Sequence, residues 1–126
     1  MNKRTEEKER SLDAIRRAIR EGELKDEACG HLEMIQGVTP SADGCEECLR
    51  TGDVWVHLRM CLICGHVGCC DNSKNKHATR HFRATQHAMI MSYEPGENWM
   101  WCYADRASIS PTLLSENFTG EAGVKS

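Results

Sequence analysis

Eleven cysteines and histidines between Cys29 and Cys102 recur at spacings that leave this chain few ways to fold. They are Cys29, His31, Cys45, Cys48, Cys61, Cys64, Cys69, His77, His81, His87 and Cys102. Two C-x2-C knuckles, Cys45/Cys48 and Cys61/Cys64, stand thirteen residues apart from Cys48 to Cys61. Such a turn offers two thiolates to one ion without strain, and zinc prefers four nitrogen or sulfur donors at tetrahedral corners. Three sites of that kind need about twelve ligands. The expected twelfth is Asp105, three residues beyond Cys102, because zinc also accepts a carboxylate oxygen. Cys70 is the rival, although on a strand it would point away from its neighbour Cys69. Spacing alone does not assign ligands to ions. The expected cofactor is therefore Zn2+, three ions and no fewer than two.

Composition removes the competing explanations. Aromatic residues make up only 6% of 126, and the polar ends leave a compact part of about 80 residues, a size at which apolar burial barely offsets chain entropy. Disulfides would need an oxidising compartment, yet the stretch from Met1 to Arg10 is charged throughout and has no apolar run of a secretory signal. No stretch of about 18 apolar residues occurs, so no membrane association is expected and a cytoplasmic setting is. The net charge of −3 is spread over interleaved acids and bases, which gives no electrostatic footprint for nucleic acid. A zinc-dependent nucleic-acid-binding finger stays as the alternative reading, resting on the Arg-rich first segment. A small hydrolase is a third. It would use Cys70 as nucleophile with His57 or His66 as its base, whereas fully ligated zinc leaves no open position for water. The expectation is a non-enzymatic chain.

Along the chain, residues 1–24 read as an amphipathic helical segment. Its stripe is Leu12, Ile15 and Ile19, with acids early, bases late and Gly22 at its end. The stripe suits docking on the domain or a weak homodimer through this helix; otherwise the chain is a monomer. Residues 25–106 form the metal-bearing domain, opening with a short helix before Pro40. Turns are expected at 41–44 and 49–53, a half-buried strand over 54–59 and a short strand over 67–69. A helix capped by Asn72 or Ser73 is expected from about Lys74 to Thr85, placing His77 and His81 on one face with His87 past its end. A hairpin follows, with strands around 89–93 and 99–103 and a turn at 94–97. Residues 107–126 read as a mostly disordered tail.

The string Cys29-x-His31, Cys45-x2-Cys48, Trp55, Cys61-x2-Cys64-Gly-His-Val-Gly-Cys69, His77-x3-His81-x5-His87, Trp101-Cys102-Tyr103 resembles the UBP-type zinc finger. That domain, also called the BUZ domain, binds ubiquitin and is found beside deubiquitinase catalytic domains and in one class of deacetylase. The resemblance implies an α+β fold: a small zinc-stapled, twisted antiparallel sheet with flanking helices. It also implies a partition, with Cys45, Cys48, Cys69 and His77 on one ion and Cys61, Cys64, His81 and His87 on a second. Cys29, His31, Cys102 and Asp105 would hold a third, where three-zinc relatives complete a C-x2-C. The family pocket takes the C-terminal tail of ubiquitin between aromatic walls, so a protein or peptide C-terminus is the implied partner, with Trp55, Trp101 and Tyr103 at the matching aromatic positions. Two positions depart from that pattern. The carboxylate-binding Arg falls on Asp71 and a pocket-closing Tyr falls on Ser108, which removes a cation where a tail carboxylate would sit.

Overall fold

The structure is a computed structural model and describes residues 3–20, 31–97 and 99–109. Cys29 and Gly22 lie outside the described residues, as does everything beyond Ile109. Helix α1 spans Lys3–Arg20, a single 3-10 turn spans Leu32–Met34, α2 spans Glu46–Thr51 and α3 spans His77–Thr85. Five short strands, β1 Leu58–Cys61, β2 Val67–Cys69, β3 Met89–Ser92, β4 Met100–Cys102 and β5 Ala107–Ile109, form one sheet in the order β2-β1-β3-β4-β5. Every neighbouring pair is antiparallel. This is the α+β architecture expected from the sequence.

Strand register sorts the side chains into two layers. Met60 pairs with Met91, Met91 with Met100, and Met100 with Ile109, so these residues share a face, and all are buried. Leu12, Ile15 and Ala18 of α1 enter the same core cluster with Leu32 and Ile35. Met60, Met91 and Met100, with the equally buried Met89, are unbranched and adaptable and suit a core closed by a single helix and a short turn. On the other face Arg59, Cys61, Ile90, Trp101 and Ser108 line up, and α3 covers the β2 end, where the missing side chain of Gly68 admits the Ala78 backbone. Polar contacts fix α1 further: Glu7 accepts from the Gly96 amide at 2.8 Å, and Lys8 donates to the Glu97 carbonyl.

Four local expectations need correction. The strand expected over 54–59 begins only at Leu58; Val54 and Val56 are 71% and 53% exposed, and the Val56 amide donates to Ser73 Oγ instead of a strand. Residues expected as a turn at 49–53 belong mostly to α2, whose two acidic residues occupy its first turn and which ends at Gly52 with φ 78. Helix α3 starts at His77, after Lys76 at φ 52, because the Ser73 hydroxyl is spent on Val56 and the Asn75 side chain on Asp53. Finally, residues 107–109, read as the start of a disordered tail, add strand β5 to the sheet edge.

Candidate metal centres

Three groups of donor atoms converge, each with all its atoms within 4.8 Å of one another: Cys45, Cys48, Cys69, His77; Cys61, Cys64, His81, His87; and His31, Cys102, Asp105. Local structure explains the aim of each. The first knuckle lies on the first turn of α2, and Cys69 ends β2. The second knuckle opens from the end of β1 through a turn at Gly65, whose φ of 88 and approach to the Thr39 carbonyl, 2.3 Å from where a Cβ would lie, admit only glycine. Because α3 starts at His77, His77 and His81 are one turn apart and reach different groups. Cys102 on β4 meets His31 just before the 3-10 turn and Asp105 just past the strand.

Zinc bonds of about 2.3 Å to sulfur and about 2.0 to 2.1 Å to nitrogen, opened to tetrahedral angles, set sulfur and nitrogen about 3.6 Å apart. His77 Nδ1 lies 3.2, 3.5 and 3.5 Å from the sulfurs of Cys45, Cys48 and Cys69. Cys61 Sγ is 3.6 Å from His87 Nδ1, Cys64 Sγ is 3.3 Å from His81 Nε2, and Cys102 Sγ is 3.5 Å from His31 Nδ1. His31 Nδ1 is 3.2 Å from Asp105 Oδ2. The donor sets therefore fit tetrahedral zinc. Backbone amides of His77, Ile63 and Asp105 donate to the sulfurs of Cys69, Cys61 and Cys102 at 3.3 to 3.4 Å, bonds that favour the thiolate form. All seven described cysteines are free thiols.

Without metal, three of these donors titrate far from their usual range. Burial pushes the Cys45 thiol up to about 12 and the Cys61 thiol up to about 11. Burial, with the neighbouring His66 and His87 charges, drives His81 down to about 4, which leaves its imidazole neutral with a free lone pair at ordinary pH.

Cys70, the rival twelfth ligand, stands outside all three groups; its sulfur lies 3.6 Å from Ser73 Oγ. Two residues that spacing arguments passed over sit between the groups. Glu47, inside the first knuckle, is hydrogen-bonded to His66, whose ring stacks on His81. Burial works against the Glu47 carboxylate, but the hydrogen bond and charge of His66 outweigh it and hold the carboxyl below the usual range.

The aromatic residues singled out in the sequence fall in different surroundings. Trp55 lines a groove beside α2 with Leu49, Gly52, Asp53 and Val54, its ring lying where a side chain on Gly44 would be. Trp101 stands half-buried on the sheet face opposite the methionines. Tyr103 stacks on Phe82 of α3, with ring centroids 4.7 Å apart and an interplanar angle of 8°. Exposed Asp71 accepts from Thr79 Oγ1 at 2.6 Å, and that hydroxyl lies 3.3 Å from the Tyr103 hydroxyl. Burial raises the Tyr103 pKa; the Thr79 contact and the charge of Arg59 oppose this, while Asp71 adds to it. Arg59 itself lies over the Trp99 ring, 4.6 Å from its centroid.

Fold and donor geometry together define a zinc-finger domain built on a five-stranded sheet. Residues 45–114 match the zf-UBP family, described as Zn-finger in ubiquitin-hydrolases and other protein, and the chain belongs to that family. Human ubiquitin carboxyl-terminal hydrolase 45 is 32% identical over 74 residues, a match covering 47% of this chain and 8% of that protein. Human BRCA1-associated protein is 38% identical over 60 residues, covering 48% of this chain and 9% of that protein. The matched part thus makes up less than a tenth of either relative. A Rhodopseudomonas palustris protein solved by solution NMR is 60% identical, with a TM-score of 0.62 over 65% of this chain and 80% of that one. No described helix is long and apolar enough to cross a membrane.

Proposed function

We propose that the chain is a non-enzymatic, zinc-scaffolded protein-interaction module that takes a peptide or ubiquitin-like C-terminal tail against Trp101 and Tyr103. The observation that carries this reading is the partly exposed aromatic pair Trp101 and Tyr103, beside clusters whose donors are already four in number at two sites. Four protein donors leave zinc no open position for water, which is the arrangement of a structural rather than a hydrolytic site. His31, Cys102 and Asp105, with Cys29 as fourth donor, would hold the third ion. Cys70 is only 4% exposed, and the side-chain partner at its sulfur is Ser73 rather than a histidine base, which argues against its use as a nucleophile. The α1 stripe is engaged within its own chain, which favours a monomer. Trp55 belongs to the α2 groove and supports the tail site less directly.

The charge around the aromatic surface sets the expected specificity. Burying a carboxylate requires a cation and donors, and Asp71 puts a negative charge next to the Thr79 and Tyr103 hydroxyls instead. Arg59 is the cation whose charge reaches Tyr103. Titration with ubiquitin and with free and amidated tail peptides tests the reading, with free tails expected to bind better than amidated ones. A charge-assisted hydrogen bond is worth about 1.5 to 3 kcal/mol, so Asp71→Arg should raise ubiquitin affinity by about 10- to 100-fold. Binding that ignores amidation would remove the carboxylate site from consideration.

A further inference from the structure

Glu47 lies between Cys45 and Cys48, and its two carboxylate oxygens are 2.9 and 2.7 Å from His66 Nε2. A carboxylate only accepts, so Nε2 carries the proton and donates. The His66 ring lies flat against His81, centroids 4.1 Å apart and planes within 7°. His81 Nε2 in turn faces Cys64 Sγ at 3.3 Å. Glu47 thus belongs to the turn of one donor cluster and His81 to the other. His66 stands between them, 9% exposed, with a backbone carbonyl that accepts from the Cys61 amide at 2.8 Å. Its ring is confined on a further side, because a Cβ on Gly68 would lie 2.8 Å from His66 Cε1.

We propose that His66 is a positioning residue that couples the first two zinc sites: Glu47 of one knuckle holds its N–H, and its ring face orients His81 of the other. This rests on the reading that both clusters hold zinc. Closing the first knuckle around its ion fixes the direction of Glu47, hence the plane of His66, hence the plane of His81. Orienting partners behind a metal ligand are worth about 10- to 100-fold in metal affinity, and here one such partner is shared by two ions. Helix α3 provides a second path through His77 and His81, so removing His66 weakens the coupling and leaves the helix in place.

Cadmium-113 substitution of the full chain tests this, because the first site, with three thiolates, and the second, with two, give separate NMR resonances, and the third site's resonance is identified by its loss in Asp105→Ala. As chelator is titrated in, the first-site and second-site resonances of wild type should fade in parallel. In His66→Leu the second site should empty first, at a chelator concentration about 10- to 100-fold lower than the first site. Glu47→Gln keeps an acceptor for His66 and should preserve parallel loss, whereas Glu47→Leu should split it. Glu47 is only partly buried, so Glu47→Leu carries the test if His66→Leu does not fold. Independent fading in wild type, or parallel fading in both leucine variants, would overturn the coupling. Absence of the two resonances altogether would overturn the metal reading beneath it.

Discussion

A carboxylate in place of a thiol at position 105 changes what the third cluster can hold. Asp105 lies 3.2 Å from His31 Nδ1 with a side chain 43% exposed, so water competes for its oxygen more than for a buried sulfur. Its own amide donates to Cys102 Sγ at 3.4 Å, which keeps the side chain in the turn beside that sulfur. Native mass spectrometry should therefore count three zinc ions per wild-type chain and two in Asp105→Ala, with Asp105→Cys restoring the third. Three ions in the alanine variant would sink its role as ligand. The convergence of donor atoms was legible in the sequence because tetrahedral zinc imposes spacing, and Cys45, Cys48, Cys61 and Cys64 declare themselves by their knuckles. His66 and Glu47 were not, since a hydrogen bond between residues nineteen positions apart and a ring stack leave no periodic trace.

At the level of elements, patterns succeeded where a buried face repeats and failed where a segment borrows its partners. The α1 stripe repeats over about two turns, and Leu12 and Ile15 are indeed buried in the core. Ile15 is 0% exposed, so Ile15→Ala should destabilise the domain by about 2 to 5 kcal/mol, read as a lower urea midpoint. A cost below about 0.5 kcal/mol, the size expected of a surface substitution, would show that α1 is dispensable to the core. The segment from Val54 to His57 has the alternation of a strand, but its backbone pairs with Ser73 and Cys70, so alternation there records no buried face. Strand β5 is only three residues long, its Ala-Ser-Ile carries a single large apolar residue, and it pairs along the edge that β4 offers.

For the molecule as a whole, metal and protons compete for the same atoms. With the Cys45 and Cys61 thiols held at about 12 and about 11, the metal-free protein keeps both protonated throughout the neutral range. His81, at about 4, brings no proton of its own above that pH. Zinc uptake at neutral pH must therefore expel at least the two thiol protons, and affinity should climb about tenfold per pH unit for each proton displaced. Calorimetric titration in two buffers of different ionisation enthalpy measures the release. An observed enthalpy that does not change with buffer would contradict these thiol states.

The contacts that clamp α1 to the hairpin turn join residues 89 positions apart. Contacts of such sequence separation form late, because a long intervening loop must close before anything is gained. During synthesis the helix has nowhere to dock until the turn at Gly96 has emerged, while the two knuckles span short stretches already exposed. Helix α1 is consequently made well before it can be fully buried, and a growing chain carries its stripe bare while the strands of the sheet are still being translated.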